Sequence, residues 1–290
     1  MKIDTILFIQ RELKNLTSKN FSKKYISQFI IPIINNINNS KDNKFIIAGP
    51  QGSGKSTLTK VLKLTLEKIY KKKVMLLSID DYYLSKKKRI ELSKKVHSLL
   101  ITRGVPGTHN IKKLKDHINQ FIEGKYPINT LTFDKLTDDV SKKRKIIKNA
   151  DILLLEGWCC GSKPMTNEYL YNNINNLERK LDKNNKWRKY YNTFLKKEYF
   201  EIFSKFDKKI YIKPPSFMHV LKWRHSQEKQ NALINKKKKF MSKPELRYFI
   251  EHYEKLTRWM IKTMPAKASI IININKNQKI EKVFTTDNYR

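Results

Sequence analysis

Short apolar runs bounded by polar residues recur along the chain, at residues 44–48, 73–79, 151–155, 208–212 and 269–274. Runs of this length are typical of strands that are buried on both faces of a parallel sheet. The segments between them have the periodicity of helices; residues 57–66, for example, carry apolar residues at 58, 61, 62 and 66. Strands that alternate with helices predict an α/β fold, with a mostly parallel five-stranded sheet flanked by helices.

The regions outside these strands are predicted to be helical. Residues 1–43, which end in an asparagine-rich break, read as an N-terminal helical extension, and residues 44–290 read as one α/β domain. Aromatic residues at helical spacing predict an inserted helical region at about 165–207, with a second helical lid region at about 222–262. Ser242 and Glu245 have the spacing of a capping box that begins a helix through Met260. The lysine run at 236–239 is predicted to be a mobile lid or a loop before that helix.

Directly after the first predicted strand, the chain reads G-x-x-x-x-G-K-S from Gly49 to Ser56, which is the P-loop motif. Glycines in this loop let backbone N–H groups surround a triphosphate, and the following helix begins with a partial positive charge. Lys55 is expected to reach the β and γ phosphates, and Ser56 is expected to bind Mg²⁺. The cofactors predicted from the motif are therefore ATP and Mg²⁺. The predicted nucleotide-binding residues are Gly49, Pro50, Gln51, Gly52, Ser53, Gly54, Lys55, Ser56 and Thr57.

Carboxylates follow the next two predicted strands. Asp80 and Asp81 come after the second run, and Glu156 comes after the third. Ligands of open parallel sheets bind beyond the carboxyl ends of the strands, where a carboxylate can accept a proton or hold a metal. We therefore predict Asp80 as a catalytic residue and a metal ligand, and Glu156 as a second metal ligand beside Ser56. Asp81 has two open interpretations, a helix cap or a site residue.

Seven of the eight glycines fall in three short clusters, and the second cluster lies in the loop from Arg103 to Asn110. Arg103 has the geometry to bind an anionic group with two hydrogen bonds, and His109 can bond to a hydroxyl or a carboxylate. Taken alone, the motif favours an ordinary surface turn over a binding loop. The third cluster, at 157–161, includes Cys159 and Cys160, for which we expect a packing role in the core.

The net charge of +36 suggests nucleic acid or an acidic membrane as a partner. However, only ten of the 62 basic residues are arginine, and the lysines are spread over the whole chain. This distribution favours a solvated, compositionally biased surface over a nucleic-acid-binding face. The longest apolar runs are too short to span a bilayer, and no signal peptide is predicted. Two adjacent cysteines exclude a disulfide framework, so a cytoplasmic location is expected.

Four of these segments together resemble a known family. The stretches at 50–57, 77–84, 103–109 and 155–158 occur in the order seen in D-glycerate 3-kinases, which belong to the wider uridine kinase, pantothenate kinase and phosphoribulokinase group. Further similarity lies in Phe133-Asp134-Lys135 and in residues 241–253, so the resemblance covers about residues 45–275. It implies a P-loop NTPase fold of three layers and a kinase that transfers the γ-phosphate of ATP to the 3-hydroxyl of D-glycerate.

The resemblance also implies roles for individual residues. By position, Asp80 is similar to the general base of the group, and Arg224 is similar to a lid arginine that stabilises the transferring phosphoryl group. Lys55 is similar to the phosphate-binding lysine, which completes the catalytic set. The implied substrate-binding residues are Asp81, Tyr82, Tyr83, Arg103, Thr108 and His109.

Two departures from the family pattern leave the acceptor open. Asn110 stands where the family usually has aspartate, and residues 136–144 contain none of the glycines of the family loop. The alternative functions are a P-loop kinase for a nucleoside, pantothenate or a sugar phosphate, and a P-loop ATPase stimulated by nucleic acid. The sequence favours a small anionic substrate as the partner, over nucleic acid or a membrane, and it does not indicate an oligomeric state.

Overall fold

The computed structural model describes residues 2–234 and 241–285. Over these ranges the strands are β1 Lys44–Ala48, β2 Val74–Ser78, β3 Ile128–Thr130, β4 Phe133–Asp134, β5 Asp139–Val140, β6 Lys145–Ile147, β7 Ile152–Gly157, β8 Lys208–Lys213, β9 Ile270–Ile274 and β10 Ile280–Thr285. The α-helices are α1 Lys2–Thr17, α2 Lys23–Tyr25, α3 Ile31–Asn38, α4 Lys55–Lys68, α5 Lys86–Lys95, α6 Ile111–Ile122, α7 Asn167–Tyr171, α8 Asn176–Leu181, α9 Lys186–Phe194, α10 Phe200–Phe203, α11 Phe217–Ile234 and α12 Lys243–Thr263.

A central sheet runs through the fold, and within the described ranges its strand order is β10-β9-β8-β1-β7-β2. The five strands from β9 to β2 are parallel, which confirms the predicted mostly parallel sheet. The sixth strand, β10, pairs antiparallel with β9 and was not predicted. None of its six residues is buried, so its sequence lacks the continuous apolar run by which the other strands were identified.

Alternate residues of the strands point to opposite faces of the sheet and enter two separate hydrophobic cores. Ile46 and Met75 face the core that includes residues of α6, α9 and α12. Phe45 and Ile47 face the core that includes residues of α1, α3, α4 and α11. Helices therefore cover both faces of the sheet, which is the three-layer arrangement expected of a parallel sheet with helical crossovers.

The N-terminal helices share the second core with the first strand and the first crossover helix. Ile9 and Leu13 of α1 are buried in the same cluster as Leu58 and Leu62 of α4. We propose that the domain boundary lies after residue 43. Residues 1–43 would then be an extension that packs on the domain of residues 44–290.

Two small antiparallel pairs, β3 with β6 and β4 with β5, lie between α6 and β7 in the chain. We call residues 133–140 the β4–β5 hairpin. It is attached to the end of β2, because the Phe133 backbone N–H donates to Asp81 Oδ1 at 3.3 Å. The hairpin therefore lies beside the carboxyl edge of the central sheet.

The predicted lid regions contain several of the helices. Residues 165–207 include α7 to α10, and α11 and α12 span most of the second region. The capping box is confirmed: the Glu245 backbone N–H donates to Ser242 Oγ at 3.4 Å, and the Ser242 backbone N–H donates to the Glu245 carboxylate at 2.7 Å. The lysine run at 236–239 lies outside the described residues. In the ranges that the structure describes, we find no helix of the length and apolar character needed to cross a membrane.

Candidate active site

The loop between β1 and α4 has the geometry of an anion-binding P-loop. Gly54 is the N-cap of α4 in a left-handed conformation, with φ of +83°, and no side chain caps the first turn. The first N–H groups of α4 are thus open to an anion, and the helix dipole favours negative charge there. Gly52 has φ of +75°, and an added Cβ would lie 2.9 Å from the Cβ of Trp223 on α11. A side chain at residue 52 would therefore separate the P-loop from α11.

Two strand ends and the P-loop meet at Glu156. The register of the parallel sheet pairs Ser78, the last residue of β2, with Glu156 on β7. Glu156 Oε1 accepts a hydrogen bond from Ser78 Oγ at 2.7 Å, and Ser56 Oγ lies 3.4 Å from the same oxygen. Glu156 Oε2 accepts one from Lys55 Nζ at 2.7 Å. The structure thus brings Lys55 and Ser56 to Glu156, which lies 101 and 100 residues after them in the sequence.

The charge of Lys55 is stabilised by its surroundings. Burial of its ammonium opposes the charge, but Glu156 and Asp80 outweigh the burial, so the pKa of Lys55 is raised. Lys55 is therefore positively charged, bonded to Glu156 and attracted by Asp80, and it is positioned where the phosphates of a nucleotide bind in a P-loop.

Asp80 lies in a turn of 3₁₀-helix, Ile79–Tyr82, that follows β2 directly. Tyr83 Oη donates to Asp80 Oδ1 at 2.6 Å, and Lys135 Nζ donates to Asp80 Oδ2 at 2.7 Å. Burial of the carboxyl would raise its pKa, but Lys135 and Lys55 outweigh this and hold the pKa of Asp80 well below its usual range. Asp80 is therefore a carboxylate at neutral pH.

The glycine-rich loop at 103–109 lies alongside the turn that carries Asp80. Tyr83 and His109 form an antiparallel bridge, and the backbone N–H of Leu84 donates to the Thr108 carbonyl at 2.9 Å. Gly104 has φ of +123°, and a Cβ there would lie 2.4 Å from the Tyr253 hydroxyl of α12. Glycine is thus required at residue 104, because Tyr253 Oη donates to the neighbouring Arg103 carbonyl at 2.6 Å.

Arg103 and His109 reach the same region from this loop. The Arg103 guanidinium forms an ion pair with Asp138 of the β4–β5 hairpin and lies 5.8 Å above the ring of Tyr83. His109 is buried, and its Nδ1 lies 2.5 Å from Tyr199 Oη, while its Nε2 has no hydrogen-bond partner within the described residues. Burial of the ring lowers the pKa of His109 to about 4, despite the opposing effect of Asp80, so the ring is neutral. Its stacking partner is Tyr83, at 4.9 Å between ring centroids.

Three residues predicted to bind substrate have other partners here. Tyr82 is fully buried, and its hydroxyl lies 2.7 Å from His117 Nδ1. Thr108 is also fully buried, and its hydroxyl donates to the Val105 carbonyl at 2.7 Å. Asp81 holds the β4–β5 hairpin and pairs with Lys145 at 3.1 Å. The positions of Tyr82 and Thr108 argue against their predicted role, because neither side chain is accessible to a ligand. The contacts of Asp81 indicate that it holds the β4–β5 hairpin in place rather than binding substrate.

Arg224 lies on α11, next to Trp223, the residue that packs against Gly52 of the P-loop. Its guanidinium forms an ion pair with Glu228 at 2.5 Å and donates to Gln227 at 2.9 Å. Arg224 is therefore near the P-loop, and a phosphate group would have to compete with Glu228 for its guanidinium.

Cys159 and Cys160 are free and buried in the core that includes α6, α9 and α12. Burial raises the pKa of both thiols, so neither is a reactive thiolate. Their packing role is as expected from the sequence.

Two contacts at this site were not predicted. Ser78 bonds to Glu156, and the β4–β5 hairpin brings Lys135 to Asp80. The signal for Ser78 was available, because it is the polar residue that ends a buried strand beside another strand ending in Glu156. No periodicity indicated that Lys135 contacts Asp80, because the contact depends on where a short hairpin packs, 55 residues further along the chain.

Comparison with known proteins places this arrangement among kinases. No protein-family model matches the chain. An uncharacterized kinase of Schizosaccharomyces pombe is 29% identical over 223 residues, which cover 71% of this chain and 76% of that protein. The chloroplastic D-glycerate 3-kinase of Arabidopsis thaliana is 33% identical over 130 residues, which cover 41% of this chain and only 28% of that protein.

The solved structure of a D-glycerate 3-kinase from Cryptococcus neoformans is similar with a TM-score of 0.70 and 21% identity, and the match covers 98% of this chain and 99% of that one. At this identity the structural likeness shows the fold, while the sequence relatives and the P-loop indicate the chemistry. In sequence the chain is similar to P-loop kinases, among them a D-glycerate 3-kinase and pantothenate kinases, and it is an ATP-dependent phosphotransferase with an alcohol group as acceptor.

Proposed function

We propose that this kinase transfers the γ-phosphoryl group of ATP to the 3-hydroxyl of D-glycerate. The observation that carries the proposal is the position of Asp80. Its carboxylate interacts electrostatically with Lys55 of the P-loop and is hydrogen-bonded to Lys135 of the β4–β5 hairpin. A hydroxyl bound at Asp80 would thus lie between Lys55, which binds phosphate, and a region that carries Lys135 and Arg103. A hydroxy acid requires such basic residues near its hydroxyl, because it also carries a carboxylate. The similarity to a D-glycerate 3-kinase in sequence supports this acceptor.

The nucleotide would bind with its phosphates on the P-loop and its base in the adjoining cavity of about 560 Å³. This cavity is bounded by the P-loop, by Trp223 and Gln227 of α11, and by Thr17 and Phe21 of the N-terminal segment. A cavity lined by both apolar and polar side chains suits a flat heterocyclic base with hydrogen-bonding edges. The N-terminal segment would accordingly form one wall of the ATP site.

The residues around Glu156 fit a magnesium ion. Hard oxygen ligands suit Mg²⁺, which is usually held by one or two carboxylates together with phosphates and water. The Glu156 carboxylate offers such oxygens, and Ser56 Oγ and Ser78 Oγ each lie within hydrogen-bond distance of it. Within the described residues there is no cluster of three or more His, Cys, Asp or Glu side chains that could form an all-protein metal cage. Ser56 and Glu156, with Asp80 nearby, would hold the ion, which when bound offsets phosphate charge.

The transfer step follows from the positions of the charged groups. The acceptor oxygen forms a bond to the γ-phosphorus, the bond from that phosphorus to the bridging oxygen breaks, and ADP leaves. Asp80 accepts the hydrogen bond of the acceptor hydroxyl and takes its proton as the new bond forms. Lys55 stabilises the phosphates, and Arg224, released from Glu228, would add positive charge to the transferring group. Positioning and electrostatics therefore supply most of the catalysis.

The cytoplasm is the compartment we propose, supported by the two free, buried cysteines of the described residues. The positive charge of the chain would raise the local concentration of anionic ATP and glycerate. No dedicated nucleic-acid face is proposed.

A coupled assay of ADP release tests the proposed function. The acceptors are D-glycerate, uridine, pantothenate and single-stranded DNA, each added separately to the enzyme with ATP and Mg²⁺. We expect ADP release that depends on D-glycerate. Faster ADP release with uridine or pantothenate would identify that compound as the acceptor, and the reaction would still be phosphoryl transfer from ATP. Stimulation by DNA that falls steeply with salt would favour an ATPase instead.

A further inference from the structure

Lys135 lies at the proposed acceptor site, but no catalytic or binding role has been assigned to it. Its ammonium donates to Asp80 Oδ2 at 2.7 Å, while the other carboxylate oxygen is taken by Tyr83. The Lys135 side chain is 58% exposed and the Asp80 side chain 29% exposed. The ion pair therefore lies at the open side of the cleft, where an incoming substrate can reach it.

The β4–β5 hairpin that carries Lys135 is fixed to the acceptor side of the site at both ends. Its first residue, Phe133, donates its backbone N–H to Asp81, and Asp138 near its second strand pairs with Arg103. Asp138 also pairs with the buried Arg89 at 2.8 Å. These contacts hold the backbone of the hairpin in place, so Lys135 reaches Asp80 from a supported position.

Lys135 is the most accessible of the three cations described near Asp80. A lysine ammonium has three donors, and the structure shows Asp80 as the partner of one. The other two cations near Asp80 are less accessible, because the side chains of Lys55 and Arg103 are only 12% and 24% exposed where they pair with Glu156 and Asp138. An anionic acceptor would thus meet Lys135 with open donors.

An acceptor that bears a carboxylate also needs a cation at this place. Its hydroxyl must lie against Asp80, and in a three-carbon acid the carboxylate is then only a few bonds away. Two carboxylates at such a distance repel each other unless a positive group lies between them. An ammonium that bonds to both removes this repulsion and leaves Asp80 in position.

We propose that Lys135 binds the carboxylate of the acceptor while it keeps its hydrogen bond to Asp80, so that one ammonium joins the substrate to the catalytic aspartate. Lys135 is then the residue that selects a hydroxy acid over a neutral alcohol. This inference rests on the proposed function, since it assumes that the acceptor is bound at Asp80.

The chain offers a matched control for this proposal. Lys145 has the same exposed fraction, 58%, and pairs with the next carboxylate, Asp81, at 3.1 Å. The variants Lys135→Met and Lys145→Met each remove one exposed ammonium beside one of two adjacent aspartates. Lys135→Arg keeps the charge and several donors. Thermal unfolding of each variant would show that the fold is intact.

Steady-state kinetics would separate binding of the acceptor from positioning of Asp80. We expect Lys135→Met to raise the KM for D-glycerate by about 10- to 100-fold, the loss expected for a hydrogen bond between charged groups. The KM for ATP should change by less than about twofold. Lys135→Arg should recover most of the loss, and Lys145→Met should match the wild type.

The proposal is overturned if Lys135→Met and Lys145→Met have the same KM for D-glycerate, or if only kcat falls, since that would mean Lys135 merely positions Asp80. A wild-type enzyme that does not phosphorylate D-glycerate at all would refute the proposed function first. The variants would then be compared on the acceptor that is phosphorylated. If that acceptor is neutral, the proposed role of Lys135 is wrong. If it is anionic, the KM values of Lys135→Met and Lys145→Met for that acceptor test the role in the same way.

Discussion

At the scale of single residues, the surroundings of Asp80 determine what kind of base it can be. Burial would raise its pKa, but Lys135 and Lys55 lower it well below the usual range, so Asp80 is a weak base. A weak base is sufficient here, because phosphoryl transfer passes through a loose transition state in which the nucleophile mainly needs orientation. We therefore expect Asp80 to align the hydroxyl and to take the proton late.

Replacement of Asp80 tests this role. Asp80→Asn keeps the shape of the side chain but removes its charge, so turnover should fall by about 10²-fold or more. ATP binding should stay nearly intact, because Lys55 keeps its hydrogen bond to Glu156. Asp116→Asn, a carboxylate of α6, is the control. Turnover of Asp80→Asn close to that of the wild type would remove Asp80 from the mechanism.

Asn110 shows how a departure from the family pattern can leave a structural role unchanged. It is the N-cap of α6, and its side chain accepts from the Lys113 backbone N–H at 3.2 Å. Asparagine and aspartate are equally good N-caps, so the substitution retains the cap and removes only a negative charge.

At the scale of elements, the glycine-rich loop at 103–109 is held by α12, which a buried ionic network fixes in place. Arg188 of α9 pairs with Glu178 at 3.3 Å and with Asp182 at 2.8 Å, and all three side chains are fully buried. Lys255 of α12 pairs with Glu178 at 3.3 Å. Because α12 also carries Tyr253, which binds the Arg103 carbonyl, the network connects α8 and α9 to the acceptor side of the site.

The network predicts a large cost when one partner is removed. Arg188→Met leaves Glu178 and Asp182 buried without their main cation, which should lower the free energy of unfolding by about 3–5 kcal/mol. Arg179→Met, an exposed arginine of α8, should change it by less than about 0.5 kcal/mol. Urea unfolding measures both. Equal stability of the two variants would show that the network contributes little.

Sequence patterns could identify the elements whose side chains are regular, but not those defined by long-range contacts. The apolar runs predicted five strands, and the P-loop and the strand-end carboxylates Asp80 and Glu156 followed from their positions beside those strands. The edge strand β10 and the β4–β5 hairpin have no such pattern, because their residues are largely half-exposed or exposed. The contacts of Lys135 and Asp138 could not be predicted, since they depend on where the hairpin packs.

At the scale of the whole molecule, buried neutral histidines predict a loss of stability in acid. Burial lowers the pKa of His109 and of His252 from 6.5 to about 4. The unfolded chain binds these protons at a higher pH than the folded protein does. The stability contribution of the neutral rings is therefore complete above pH 6.5 and is lost as the pH falls towards about 4.

His252 allows a direct measurement of this effect. Its ring makes edge-to-face contacts with the rings of Trp187 and Tyr248, and its Nδ1–H donates to the Tyr248 carbonyl at 3.0 Å. In His252→Gln the free energy of unfolding should fall less between neutral pH and about pH 4 than it does in the wild type, by up to about 3 kcal/mol. Urea unfolding over a pH series is the measurement. Identical pH dependence in both proteins would contradict the prediction.

Transfer of the γ-phosphoryl group to the 3-hydroxyl of D-glycerate can be observed by ³¹P NMR of the reaction with ATP and D-glycerate. We predict that the γ-phosphate signal of ATP disappears while ADP and 3-phosphoglycerate appear in equal amounts. Formation of 2-phosphoglycerate, or release of free phosphate without a phosphorylated acid, would contradict the account.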